Sequence, residues 1–181
     1  RFAKKAQSPL TDTLPLRGLA NNGPFDQSLT PQVADGLIKL AVICPRAEAP
    51  FLEQFLADGT RIHNPQRGTK EEYLVQYTGF ENVYRVPVIF PGRGDLLWYT
   101  LPEIDSQLDE HDGALDMSRK IQDGISSMAA AGRSIILIFT PNRWQRWRGF
   151  KNDDEVFDVH NFVKAYCVQR GIATQFLDQD T

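Results

Sequence analysis

Residues 134–140 read SIILIFT, an almost unbroken run of β-branched, leucine and aromatic side chains. A strand with one wet face alternates apolar and polar residues, so this run is predicted to be a strand buried on both faces, as in the interior of a parallel sheet. A helical pattern over 115–131 precedes it, and another over about 155–170 follows. LIKLAVI at 37–43 supplies a second buried strand, ended by Pro45, and Phe51, Leu52, Phe55 and Leu56 lie at helical spacing within 48–58. Further elements are expected as a short helix at 71–78, a strand at 83–90 with Pro87 marking an edge or a bulge, and an antiparallel or edge strand at 96–100. Residues 172–177 close the series as a short strand. Strands alternating with helices predict an α/β fold, Rossmann-like, with a mostly parallel sheet and helices on both faces. Residues 1–30 are rich in Pro, Gly, Asn and Ser without sustained period and read as an extended N-terminal arm or linker, leaving 31–181 as one domain.

Charge and cysteine usage narrow the function classes. The formal net charge of −3 argues against a protein that binds nucleic acid by bulk positive charge, so any strand must be held by a local patch. Cys44 and Cys167 are embedded in apolar runs and read as buried thiols rather than a disulfide framework or a zinc site, consistent with a reducing cytosol. No run approaches the ~18 apolar residues of a membrane span. RFAKKAQSPLTDTLPL lacks the apolar centre of a signal peptide, and a cytoplasmic location is expected. PGRGD at 91–95 lacks the Lys-Ser/Thr ending of a phosphate loop. His63 and His111 are expected in polar loops without companion ligands, so no metal centre of side chains is expected, and the acidic stretch Glu103, Asp105, Asp109, Glu110 and Asp112 reads as a solvated surface.

The chemistry concentrates in the last quarter, DDEVFDVHNFVKAYCVQRGIATQFLDQDT. Asp153 and Asp154 are candidate N-caps for the helix at 155–170, and Gly171 is its stop. His160 and Lys164 are four apart, so they leave one helix face a turn from each other. Thr174 and Gln175 are the polar members of the strand that follows. A phosphate monoester carries roughly −1.5 to −2 charges and three acceptor oxygens. A lysine point charge, a histidine ring and an amide donor suit it. Each residue also has an ordinary structural explanation: a half-buried histidine, a solvated lysine, a glutamine satisfying a strand edge.

HNFVKAYCVQRGIATQFL resembles the phosphate-binding segment of the MID domain of Argonaute proteins, where an aromatic or basic residue, a lysine four later and a glutamine about eleven further on hold the 5′-phosphate of a guide strand. His160, Lys164 and Gln175 match those positions, and GIATQ at 171–175 looks like the family's helix-to-strand turn. PLRGLANNGPFD at 15–26 resembles, more weakly, the entry to the MID region of short prokaryotic Argonautes. The resemblance implies a MID-like fold that holds a guide RNA or DNA paired with its target, with Thr174 assisting and a Mg2+ ion bridging the phosphate. It also implies a PIWI domain beyond Thr181, together with a second lysine that this chain lacks. An APAZ-containing effector, sirtuin-like, TIR or nuclease, is the implied partner, in defence against invading nucleic acid. The family's nuclease carboxylates belong to the PIWI domain, so the chain itself is expected to be non-catalytic.

The loop PNRWQRWRGFK at 141–151 adds Arg143, Arg146, Arg148 and Lys151 between Trp144, Trp147 and Phe150. Arg143, Trp144, Arg146 and Trp147 are candidates for first-base or backbone contacts, offering cations to phosphates and flat faces to bases. The competing explanation is that the tryptophans anchor the loop in the core while the arginines pair with Asp153, Asp154 and Glu155. Two other classes stay open: a small-molecule-sensing regulatory α/β domain with its site at the same strand ends, and an interaction module built on Trp144 and Trp147.

Overall fold

The structure, a computed structural model, describes residues 2–5, 8–10, 13–24, 37–65, 75–128, 135–152 and 155–179. In chain order the elements are β1 (Phe2–Lys5), β2 (Ser8–Leu10), α1 (Pro15–Asn22), β3 (Ile38–Pro45), α2 (Ala49–Asp58), α3 (Phe80–Tyr84), β4 (Val88–Ile89) and β5 (Trp98–Leu101). They continue with α4 (Glu110–Met128), β6 (Ile135–Thr140), β7 (Gly149–Lys151), β8 (Val156–Asp158), α5 (Val159–Val168) and β9 (Ala173–Asp178). The chain divides into two compact units, one of residues 1–38 and 54–89, the other of residues 39–53 and 90–181.

In the first unit β1 and β2 pair antiparallel, and α1 starts with Pro15 in its first turn, where a missing N–H costs nothing. Within the expected extended arm the described residues form a pair of strands and a helix; residues 1, 6–7, 11–12 and 25–30 lie outside the described residues. The expected strand at 83–90 is mostly something else. Gly79 at φ 92° opens α3 and Arg85 in the left-handed region closes it, so Val83 and Tyr84 are helical and only Val88 and Ile89 are extended. The β-branched residues that suggested a strand here serve a short helix because its ends are set by these two backbone turns. The expected helix at 71–78 is absent over 75–78, where Tyr77 instead makes an isolated antiparallel bridge with His63; 71–74 lie outside the described residues.

The second unit contains the parallel sheet, in the order β5-β3-β6-β9. β5 pairs with β3 in parallel, which settles the direction of the strand expected at 96–100. Ala41, Val42, Ile43 and Cys44 have no exposed surface, and Ile136, Ile138 and Phe139 are nearly as buried, as the two continuous apolar runs require. Register places Ala41 beside Ile136 and Ile43 beside Ile138. That face carries α4 and α5 through Met117, Ile121, Ile125, Val163 and Cys167. On the opposite face Phe51, in the first turn of α2, packs its ring 5.7 Å from that of Phe139. Helices on both faces of a mostly parallel sheet make this an α/β, Rossmann-like fold.

The last helix begins later than its pattern suggests. Residues 156–158 pair antiparallel with 149–151, so Val156 and Phe157 belong to a hairpin and α5 starts at Val159. Its N-cap is Asp158, whose carboxylate accepts the Asn161 N–H at 2.7 Å; the caps expected at Asp153 and Asp154 lie outside the described residues. Gly171 at φ 66° makes the turn from α5 into β9, as the sequence suggests. Among the described residues no helix is long and apolar enough to cross a membrane.

Candidate functional site

β6 and β9 run side by side and end at Thr140 and Asp178, which are register partners. The start of α5 lies beside these carboxyl ends, the place where open parallel sheets collect ligands. A pocket of about 140 Å³ opens there, walled by Met117, Val159, His160 and Phe176 and bordered by Thr140, Arg148, Asp158 and Asp178. Its polar groups form a network. The Thr140 hydroxyl donates to Asp178 Oδ1 at 2.7 Å, and Arg148 Nη2 pairs with the same oxygen at 2.8 Å. Asp158 is occupied by its cap bond.

His160 is exposed on the first turn of α5 and sets its ring edge-on to Phe176, centroids 4.9 Å apart. Lys164 lies one turn on, half-buried, and its ammonium donates to the backbone carbonyl of Thr174. Among the described residues no carboxylate pairs with Lys164, whose ammonium bonds near the amino end of β9 and is not part of the pocket lining. Thr174 stands on the strand face that meets α5, in register with Ile136. Gln175 does not join them. Side chains alternate along a strand, and Gln175, in register with Leu137, points to the opposite face of β9, where its amide donates to the Phe176 carbonyl at 2.9 Å. His160, Lys164 and Thr174 are thus gathered by one helix–strand contact, and Gln175 is separated from them by the pleat.

The aromatic and basic loop has a different character from its composition. Trp144 and Trp147 are 1% and 3% exposed, so neither indole presents a face on which a base can stack. They are packing residues, seated by a 3-10 turn over Asn142–Trp147. Arg143 is clamped by both Glu48, at 2.9 Å from Nε, and Glu103, and these carboxylates hold its guanidinium charged well beyond its ordinary range. Arg146 donates to the Ser106 carbonyl and lies over the Trp147 ring at 4.4 Å. The competing explanation paired the arginines with Asp153, Asp154 and Glu155; Asp153 and Asp154 lie outside the described residues, and the partners seen are Glu48 and Glu103 for Arg143, the Ser106 carbonyl for Arg146 and Asp178 for Arg148, which only the tertiary fold brings near. Arg148, outside the first set of candidates, is the loop arginine that lines the pocket.

His111 does have companions. It sits in the first turn of α4 with Asp112, next to Asp109 just before the helix, and the ligand atoms of the three lie within 4.8 Å of one another, all exposed. Ordinary bonds explain the group: Asp109 accepts the Asp112 N–H, and His111 Nδ1 meets Asp112 Oδ1 at 2.9 Å. The carboxylates that line the pocket, Asp158 and Asp178, are both already bonded, and they do not form a Mg2+ cage. Burial pushes the Cys44 thiol up to about 12, helped by Glu48 and Glu53, and also raises Cys167, so both are unreactive packing thiols near neutral pH. No family model and no curated protein matches the chain.

Proposed function

We propose that this chain is the MID-like part of a prokaryotic Argonaute-type protein and holds the 5′-phosphorylated end of a guide strand without itself cleaving nucleic acid. The observation that carries this reading is the placement of His160 and Lys164 one turn apart on one face of α5, with His160 bordering a pocket at the carboxyl ends of two parallel strands and Lys164 without a carboxylate partner among the described residues. Lys164 neutralises the terminal phosphate, and His160 donates to it or covers the first base. Gln175 takes part only by way of the free edge of β9, because its side chain leaves the other face. A PIWI domain, an APAZ-containing effector, a bridging Mg2+ and a cytoplasmic role in defence belong to the same proposal and rest on the sequence resemblance.

The interaction-module alternative loses its basis with the burial of Trp144 and Trp147. A small-molecule-sensing domain is favoured by one observation, the small volume of the pocket. Competition binding separates the two: a guide-end site prefers a 5′-phosphorylated strand over its 5′-hydroxyl counterpart, whereas a sensor of small metabolites binds both strands equally.

A further inference from the structure

The Asp178 carboxylate is held as a bound anion would be. The Thr140 hydroxyl and Arg148 Nη2 both donate to its Oδ1, at 2.7 and 2.8 Å, and a hydroxyl beside a guanidinium is a donor set that suits a phosphate oxygen equally well. The donors are the fixed half of this contact. Thr140 ends β6 and is 2% exposed, and the main chain of Arg148 is pinned at its carbonyl, which accepts the Val159 N–H at 2.9 Å where α5 begins. The acceptor is the movable half. Asp178 is the last residue of β9, its side chain is 44% exposed, and among the described residues β9 pairs with β6 alone.

Charge makes this contact consequential. The pocket lining sets one guanidinium, on Arg148, against two carboxylates, on Asp158 and Asp178, so an entering anion meets the wrong sign. Asp158 cannot turn away without giving up the cap of α5, whereas Asp178 needs only a change of rotamer to reach water. A half-exposed ion pair of this kind contributes little to stability, and a competing anion can replace it. With the carboxylate turned out, the Thr140 hydroxyl and Arg148 Nη2 are left aimed at the space it held.

We propose that Thr140 and Arg148 form an anion site occupied from within the chain by Asp178, and that a phosphate group binds there only when this carboxylate swings out to solvent. The contact is thus autoinhibitory. The inference goes beyond the guide-end reading and does not depend on it. That reading gives the terminal phosphate to Lys164, which bonds near the amino end of β9, whereas Asp178 closes the carboxyl end.

The test is the affinity of the full chain for inorganic phosphate, measured by titration calorimetry. Asp178→Ala is expected to bind it about tenfold more tightly than wild type, and adding Arg148→Ala is expected to abolish the gain. Asp178→Asn keeps the size of the side chain and an acceptor for Thr140, and should show a smaller gain. Unchanged affinity in a folded Asp178→Ala, or in Asp178→Asn where the alanine variant does not fold, overturns the inference. So does a gain that survives the loss of Arg148, which would be a diffuse effect of charge. Two strands, one with a 5′-phosphate and one with a 5′-hydroxyl, then identify the source of the group. A gain confined to the phosphorylated strand assigns a terminal phosphate, an equal gain on both assigns a phosphodiester, and a gain on neither assigns free phosphate. The phosphate preference of wild type and its loss in Lys164→Ala test the guide-end reading separately.

Discussion

The Trp147 indole lies directly against Gly113 in the first turn of α4: a Cβ built on Gly113 would overlap the five-membered ring. This contact seats the loop after β6 on α4, and the same loop delivers Arg148 to the pocket. Gly113→Ala should gain about 0.5–1 kcal/mol of helix propensity. The overlap with a 3% exposed ring should outweigh it, for a net loss of about 1–3 kcal/mol in urea unfolding. An unchanged or higher stability would show that the indole is not held against the helix.

Arg143 joins Glu48 and Glu103, which are distant in sequence, and its charge is spent inside the unit. Arg143→Ala is expected to lower stability by roughly 1 kcal/mol, since the guanidinium is partly exposed and screened. It should leave the ratio of affinities for phosphorylated and unphosphorylated strands unchanged. A loss of that ratio would assign Arg143 to the strand rather than to the scaffold.

Cys44 gives a pH dependence with a defined sign. Its thiol is raised from 9.0 to about 12 in the fold, so the protonated form is the one the fold favours. The stabilisation is complete below about pH 9 and is lost as pH rises toward 12. Thermal melts of wild type and Cys44→Ala across pH 7–11 should show the steeper alkaline decline in wild type. Parallel curves would mean that the thiol does not feel its burial.

Asp158 caps α5 one residue before the helix and two before His160. Asp158→Ala is expected to cost about 1 kcal/mol, and Asp158→Asn much less, because asparagine can still accept the Asn161 N–H. Equal losses for the two variants would indicate that charge, and not the cap bond, is what matters there.

The layered architecture was legible because burial on both faces leaves a run such as SIILIFT no other stable setting. The turn at Gly171 was legible for a similarly local reason, a residue that tolerates positive φ at the end of a helical pattern. What could not be read depends on partners far away in sequence. Val156 and Phe157 look helical until Gly149–Lys151 pairs with them, and Trp144 and Trp147 look like base platforms until α4 covers them. The His160–Lys164 pair follows from helical periodicity alone. The exclusion of Gln175 from that pair follows from strand register, which places it beside Leu137 on the other face.

The central claim is that Lys164 reads a 5′-phosphate, and the most direct test is the affinity of wild type and Lys164→Ala for one strand carrying a 5′-phosphate or a 5′-hydroxyl. A charge-assisted contact of about 1.5–3 kcal/mol corresponds to a preference of about tenfold or more for the phosphorylated strand in wild type, reduced to near unity in the variant. Equal affinities in wild type, or a preference that survives Lys164→Ala intact, would contradict it.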